Sequence, residues 1–146
     1  MVNKFMDAIT IALANAFGSG YTFYVEQVEQ KLRKPCFFAK PLNPMYTRVN
    51  RWKHKLTVPA VIYYFTDKDE TSNANRDCYS VGERLHKALE YLPVEDFTVR
   101  GHGIEWEVNE GVLQLHVTYE LELLTDYNTE TGMESVGYQV NGYSVK

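Results

Sequence analysis

The N-terminal segment repeats apolar residues at the spacing of an amphipathic helix. Its apolar positions fall three or four residues apart, which places them on one face. The segment Gly18-Ser19-Gly20 follows the last of them, and glycine readily adopts the left-handed conformation that closes a helix. The pattern predicts a first helix whose apolar face must pack against a flat surface. The apolar positions are Val2, Phe5, Met6, Ile9, Ala12, Leu13, Ala16 and Phe17.

Two short strands are predicted after this helix. Aromatic and β-branched residues with rough alternation fill the segment 21–28. After a polar turn at 29–34, a short apolar run at 35–40 ends before Pro41 and is consistent with a second strand. Residues 42–45 contain a proline, which cannot donate to a strand ladder, and they are predicted to form a loop.

A long third strand is predicted from about residue 51 to residue 65, because its side chains alternate between a core face and a second face. Pro59 lies on the second face. Since proline cannot donate a hydrogen bond to a neighbouring strand, it predicts an edge position or a bulge. The predicted core face consists of Leu56, Val58, Ala60, Ile62 and Tyr64.

A polar, charged loop at 66–73 separates this strand from a second helical repeat. Ser72 or Asn73 is the predicted N-cap, and Pro93 is predicted to end the helical pattern. The spacing of the apolar residues again predicts an amphipathic helix. These residues are Ala74, Cys78, Val81, Leu85, Ala88, Leu89 and Leu92.

The last third of the chain predicts a β-hairpin with one apolar and one polar face, because the segments 104–108 and 113–123 both alternate. Apolar residues of the two segments share a face only if Val108 opposes Leu113. A four-residue connection between them, or a bulge near Gly111, gives that register.

The order of elements is therefore helix, three strands, helix, and two or three strands. This order predicts an α+β fold, with an antiparallel or mixed β-sheet and the two main helices packed on one face. We expect a single domain over residues 1–124 and a C-terminal extension over 125–146. In the extension, Val136, Tyr138 and Val140 indicate a short strand, and a docked or loose tail is the alternative.

Composition restricts the class of protein further. The chain has 146 residues, of which 45% are apolar and 23% charged, as in a soluble globular domain. A net charge of −4 argues against a dedicated nucleic-acid clamp. The longest apolar run, 58–65, is too short to span a bilayer, and the N-terminus lacks the features of a signal peptide. We therefore expect an intracellular protein when it is made.

Residues able to carry chemistry are scattered along the chain. It contains no glycine-rich phosphate loop, and its four histidines and two cysteines lack the spacing of metal ligands. Cys36 and Cys78 are expected to be buried thiols. Glu105 and Glu107 are predicted to form part of a solvated sheet face rather than a catalytic carboxylate pair. We therefore expect no catalytic residue, no cofactor and no metal, and predict that the protein is not an enzyme.

The segment from Arg48 to Lys55 stands out, because it gathers basic residues around a tryptophan in an acidic chain. One explanation is an exposed loop with solvated charges. The functional alternative is a docking element for an acidic partner surface or a neighbouring subunit, since Trp and Arg commonly anchor interfaces. A nucleic-acid contact is the third alternative, with one short basic patch as its only support. Exposed tyrosines also favour protein contacts. Tyrosines predicted to be exposed are Tyr63, Tyr79, Tyr127, Tyr138 and Tyr143.

Several short sequence segments occur in a distinctive order between residues 1 and 124. After the N-terminal helix they are Val25-Glu26-Gln27, Leu32-x-x-Pro35-x-Phe37-Phe38, Pro59 to Phe65, Glu83-Arg84-Leu85, Ala88 to Leu92, and Gly111 to Tyr119. In their order and spacing the chain resembles the tail terminator proteins found in phages and defective prophages of Gram-positive bacteria.

This resemblance implies a hexameric ring that caps the tail tube, ends its polymerisation and meets the head connector. In a contractile tail the ring would also meet the last sheath ring. The implied partners are other copies of the chain, the tail tube protein, and a sheath protein or head–tail connector. DNA is expected only as passing cargo, and no membrane is involved. The protein is expected in the host cytoplasm during assembly and then at the head-proximal end of the tail.

We hypothesise that the segments 45–55 and 67–75 project from the domain and make subunit or tube contacts, and that acidic side chains line the ring. The alternatives are another head–tail joining or baseplate component, or a monomeric module that binds a host protein. The predicted interface residues are Arg48, Arg51, Trp52, Lys53, Lys55, Asp67 and Asp69.

Overall fold

A computed structural model of the chain describes residues 1–25, 34–127, 136–140 and 143–145, and describes side chains up to residue 124. Its two helices are α1 (Val2–Phe17) and α2 (Thr71–Glu90). The described strands are β1 (Thr22–Val25), β2 (Cys36–Pro41), β3 (Met45–Arg48), β4 (Lys53–Phe65), β5 (Tyr91–Val94), β6 (Phe97–Asn109), β7 (Val112–Tyr127), β8 (Val136–Val140) and β9 (Tyr143–Val145).

The described strands form a mixed sheet with the principal order β1-β2-β4-β7-β6-β5. Off this path, β3 pairs with β4, β8 pairs with β7, and β9 pairs with β8. β1 runs parallel to β2, and the other described pairings are antiparallel. The prediction of an α+β fold with a mixed sheet is confirmed.

The centre of the sheet is the long antiparallel ladder between β4 and β7. It runs from the Lys53–Leu124 pair to the Phe65–Val112 pair. On the outer side of β4, β2 accompanies one half of the ladder and β3 the other. On the outer side of β7, β6 is followed in the same way by β8. Four strands, each paired with only part of the ladder, therefore flank one continuous central pair.

Pro59 lies where β2 gives way to β3. The Pro41–Ala60 pair is followed by the Met45–Thr57 pair. The flanking chain advances by four residues between these pairs and β4 by three, so the flanking chain contains one extra residue, a bulge. Leu42 donates its N–H to the Pro59 carbonyl at 2.7 Å. The backbone nitrogen of Pro59, which carries no hydrogen, points to the same side as its carbonyl, where the pairing with β2 and β3 is interrupted. The edge alternative was wrong, because β4 has neighbours on both sides, whereas the bulge alternative agrees with the register.

The two helices cover one face of the sheet, as predicted. Phe5 of α1 stacks on Tyr119 with ring centroids 5.8 Å apart, and the Tyr119 hydroxyl donates to the Leu89 carbonyl of α2 at 2.6 Å. Arg84 of α2 donates to the Ala16 carbonyl at 2.7 Å. Burial on this face confirms the predicted core positions of the long strand. These are Leu56, Val58, Ala60, Ile62 and Tyr64, each at most 1% exposed.

The helix boundaries agree only in part with the sequence pattern. α1 ends before Gly18, whose φ is 80°, as predicted. α2 is capped by Glu70 rather than by Ser72 or Asn73. The side chains of Ser72 and Asn73 donate to the Glu70 carboxylate instead, at 3.4 and 3.1 Å. Leu92 is buried from β5, not from the helix.

The predicted register of the β6–β7 hairpin is confirmed, since Val108 faces Leu113 and Asn109 faces Val112. Positive φ values at Glu110 and Gly111 form the turn. β7 continues to Tyr127 and pairs there with β8. The division of the chain into residues 1–124 and 125–146 stays a prediction. The first predicted strand is described only as far as Val25, and the predicted turn at 29–34 lies largely outside the described residues.

Gly82 allows the indole of Trp106 to pack directly on α2. A Cβ atom at position 82 would lie 2.6 Å from the nearest Trp106 ring carbon, which is shorter than a tolerable contact. Trp106 is half-buried and lies opposite Leu115 on the helix-covered face. A larger residue at position 82 would displace the indole. This explains a glycine within the helix, although glycine lowers helix stability by about 1 kcal/mol relative to alanine.

We predict that Gly82→Ala lowers the free energy of unfolding by about 1–2 kcal/mol, because overpacking outweighs the gain in helix propensity. In a Trp106→Ala background the same substitution should stabilise the protein by about 1 kcal/mol. Urea denaturation of the two single variants and the double variant measures both effects. If Gly82→Ala has the same sign in both backgrounds, the indole is not the reason for this glycine.

Both cysteines are buried as free thiols, with 0% exposure, as predicted. Burial raises the pKa of the Cys78 thiol to about 11, and the nearby Asp77 carboxylate adds to the increase. Burial also raises the pKa of Cys36, although Lys34 partly opposes this. Since the thiolate is the reactive form, both side chains are poor nucleophiles in the folded protein.

We predict that a thiol reagent such as 5,5′-dithiobis(2-nitrobenzoate) labels the native protein at pH 8 at least about 100-fold more slowly than the unfolded chain. Both thiols should be titrated in guanidinium chloride. A Cys36→Ala variant and a Cys78→Ala variant would assign any residual reactivity. Rapid native labelling of either thiol would contradict the burial described here.

Candidate assembly interface

The basic segment singled out from the sequence forms a β-hairpin, consisting of β3, a turn and the start of β4. We call residues 45–55 the basic hairpin. β3 pairs with β4 along one edge only, and all four of its residues are exposed. The sequence pattern had assigned residues 42–45 to a loop, but Met45 already begins this strand. The hairpin therefore forms part of the sheet edge and is not an irregular loop.

Hydrogen bonds hold the turn of the basic hairpin in one shape. The N–H groups of Val49 and Asn50 donate to the Lys53 carbonyl at 2.9 and 3.2 Å. The Trp52 N–H donates to the Asn50 side-chain oxygen at 2.8 Å, and the Arg48 Nε donates to the Asn50 carbonyl at 3.3 Å. Asn50 thus organises the turn from both its backbone and its side chain.

The four predicted basic residues of the hairpin divide into two pairs. Lys53 lies 3.3 Å from a Glu122 carboxylate oxygen, and Lys55 lies 3.3 Å from Glu120, both on β7. Arg48 and Arg51 make no ion pair with the described residues. The Arg51 guanidinium lies over the Trp52 ring, 5.6 Å from its centroid. Two of the four cations are thus already neutralised within the chain, and two are available to a partner.

Large apolar side chains surround these arginines. Each is at least half exposed, and successive residues of β3 point to opposite faces of the strand, so the apolar surface wraps around the edge. Exposed apolar side chains grouped in one segment favour a contact site. The side chains are Met45 (57% exposed), Tyr46 (59%), Val49 (50%) and Trp52 (56%).

Asp67 and Asp69 lie at the other end of β4, in the loop that leads to α2. We call residues 66–70 the acidic loop. Its base is anchored, because the hydroxyls of Thr66 and Tyr64 both donate to the Asp77 carboxylate at 2.7 Å. Burial, followed by this hydrogen bond, raises the pKa of Tyr64, so the phenol stays protonated as a donor. Beyond Thr66 the loop is exposed.

The β6–β7 turn lies beside the acidic loop. The Gly111 N–H donates to the side-chain oxygen of Asn75 at 3.0 Å, which joins the turn to the first half of α2. Loop and turn border a recess of about 130 Å³, whose lining includes Asp69, Phe65 and Val112. This end of the sheet therefore combines the carboxylates of Asp69 and Glu110 and the ammonium groups of Lys34 and Lys68 with a small apolar surface.

The structure does not bring the predicted interface residues together. Lys53 and Phe65 are the two ends of β4, which has 13 residues. At about 3.3 Å per residue, the basic hairpin and the acidic loop lie about 40 Å apart. Met45, Tyr46 and Val49 lie within the predicted contact segment 45–55 but were not among the predicted interface residues, although their apolar character beside the basic residues was a usable signal.

Glu105, Glu107 and Tyr79, which the sequence also singled out, lie at the surface. Glu105 and Glu107 are exposed, as predicted for a solvated face, and they border a surface recess of about 240 Å³ with Gln114 and His116. No group of three or more His, Cys, Asp or Glu side chains within the described residues is arranged to hold a metal ion. Tyr79 is 53% exposed, in agreement with the prediction.

No described helix combines the length and the apolar character needed to cross a membrane. Among curated proteins, none matches this chain. A protein-family model described as phage tail terminator protein matches residues 4–131. The matched range contains α1 from residue 4 onward, all of α2, the β4–β7 ladder, the basic hairpin and the acidic loop. It extends well beyond half of the chain and confirms the resemblance seen in the sequence, so the protein belongs to the phage tail terminator family and is a structural protein of the phage tail.

Proposed function

We propose that this protein assembles into a ring, as a hexamer, that caps the tail tube and ends its polymerisation. The ring joins the tail to the head connector or, in a contractile tail, also to the end of the sheath. Within a tail terminator chain, the observation that carries this proposal is the basic hairpin. It combines an exposed strand edge, two arginines without an ion pair among the described residues, and a group of exposed apolar side chains.

The basic hairpin has the composition of an interface core. Interfaces are enriched in Trp, Tyr, Met and Arg, and a few such anchors commonly dominate the binding free energy. Tyr46 and Trp52 supply aromatic surface, and Arg51 is held over the Trp52 ring. The hydrogen-bonded turn orders these side chains before a partner arrives, which lowers the entropy lost on association.

The same edge carries features that limit uncontrolled pairing. Pro41 and Pro44 remove backbone donors, and the bulge between β2 and β3 interrupts the ladder. Arg48 adds charge at the end of the edge strand. A subunit that must remain soluble until it reaches a tube benefits from such protection, whereas a side-chain contact through the basic hairpin is still possible.

We assign roles to the predicted interface residues on this basis. Arg48, Arg51 and Trp52 contact the partner directly. Lys53 and Lys55, held by Glu122 and Glu120, brace the hairpin against β7. The remaining predicted interface residues, Asp67 and Asp69, lie at the far end of the domain and form a second contact surface.

The proposed partners are other copies of this chain, the tail tube protein, and a sheath protein or the head–tail connector. DNA only passes through the ring. The protein would assemble in the host cytoplasm and remain at the head-proximal end of the tail. Such a role requires binding surfaces rather than catalysis, and we propose that the protein is not an enzyme.

We predict that Arg51→Ala with Trp52→Ala weakens ring formation at least about 10-fold in protein concentration without unfolding the subunit, because both side chains are exposed. Size exclusion with light scattering over a concentration series measures the change in mass. Tyr91→Ala is a matched control, since Tyr91 is equally exposed but lies in β5. Far-ultraviolet circular dichroism verifies the fold.

Phage particles carrying the double variant should show tails of irregular length or tails without heads in electron micrographs. Normal tails together with an unchanged ring would remove the assigned role of the basic hairpin. Labelled protein found along the tube or at the baseplate, rather than at the head-proximal end, would favour a different tail component.

A further inference from the structure

We propose that neighbouring copies of the chain contact each other head to tail, with the basic hairpin of one copy seated against the acidic loop of the next. This inference rests on the proposed ring and specifies which surfaces form its subunit contact. It follows from the separation of the two surfaces, from their charges and apolar side chains, and from the way each is held.

The first step is the distance between the two surfaces. They lie at opposite ends of β4, about 40 Å apart, and β4 is paired along its whole length with β7. The basic hairpin and the acidic loop of one chain therefore cannot meet each other. Any attraction between them acts between copies, and each copy offers one surface of each kind.

The second step is electrostatic complementarity. The side chains of Arg48 and Arg51 make no ion pair with the described residues, and the same is true of Asp67 and Asp69. Glu110 adds a further exposed carboxylate beside the acidic loop, although Lys34 and Lys68 line the same recess. Complementary surface charges select the orientation of approach and suppress wrong pairings. Hairpin against hairpin, or loop against loop, would bring like charges together.

The third step is apolar complementarity. Trp52 projects from the hairpin turn beneath the Arg51 guanidinium, so ring and cation are presented together. The recess beside Asp69 is lined in part by Phe65 and Val112, the last pair of the β4–β7 ladder. An aromatic ring entering this recess would bring its attached arginine near the carboxylates of Asp69 and Glu110, which line the recess together with Lys34 and Lys68. A hot-spot residue in a pocket, bordered by opposite charges, is the usual arrangement of a stable contact.

The fourth step is that both surfaces are held in place before they meet. Asn50 fixes the hairpin turn, and Asp77 fixes the base of the acidic loop through Tyr64 and Thr66. A contact between two such surfaces joins different patches of two identical chains and is therefore heterologous. Heterologous contacts repeat from copy to copy and close into a ring when the rotation per subunit permits.

The test is a charge-reversal exchange between the two surfaces. Arg51→Glu and Asp69→Arg are prepared separately, and each should weaken self-association at least about 10-fold, because like charges then face each other across every contact. In an equimolar mixture the reversed surfaces of the two variants again meet opposite charges. The mixture should therefore recover self-association to within about threefold of the unchanged protein. Light scattering over a concentration series measures all four samples.

Arg100→Glu and Glu105→Arg serve as matched controls, because they make the same charge changes at exposed positions of β6. They should leave self-association unchanged. If both reversals in the basic hairpin and acidic loop assemble like the unchanged protein, the pairing is overturned. If each reversal blocks assembly but the mixture does not recover, both surfaces matter but do not contact each other, which also overturns the pairing.

The proposed function is judged by a different result, namely whether the unchanged protein forms rings and whether tails lacking it grow to irregular lengths. Rings without recovery in the mixture would refute only the head-to-tail pairing. An unchanged protein that stays monomeric throughout would refute the pairing, because the contact requires nothing but copies of this chain. Tail length would then decide separately whether the protein caps the tube.

Discussion

The antiparallel ladder between β4 and β7 is the constraint on which the rest of the structure depends. Strict alternation along both strands places one row of apolar side chains under the two helices and the intervening residues on the second face. Tyr119, within this ladder, stacks on α1 and bonds to the end of α2. A shift by one residue would reverse the faces of an entire strand, so the core tolerates a single register.

The ladder also determines where binding surfaces can form. Because each flanking strand pairs with only part of the ladder, a second strand takes over along each side, β3 after β2 and β8 after β6. Pro59 is accommodated at one of these exchanges. The basic hairpin and the acidic loop occupy the two ends, where the chain leaves the ladder. A ladder of about 40 Å thus separates the basic hairpin from the acidic loop, and the proposed head-to-tail pairing depends on that separation.

Much of the fold was predictable because periodicity reflects burial directly. The faces of β4, the course of α1 and the pairing of Val108 with Leu113 all follow from residues that must reach the same core. Boundaries were less predictable. Glu70 occupies the N-cap position of α2, where its carbonyl accepts from the Ala74 N–H, and Leu92 reaches the core from a strand. β3 was missed since a short edge strand buries nothing and leaves no alternation to detect.

The sequence by itself determined the class of fold, the core faces and a resemblance to tail terminators, because these depend on residue order and on local periodicity. It also located the cluster of positive charge around Trp52. Only the tertiary structure decided which of those charges are available to a partner. Lys53 and Lys55 are neutralised by carboxylates of β7, whereas Arg48 and Arg51 have no such neighbour among the described residues. That difference arises from contacts between strands far apart in the chain, and no local pattern records it.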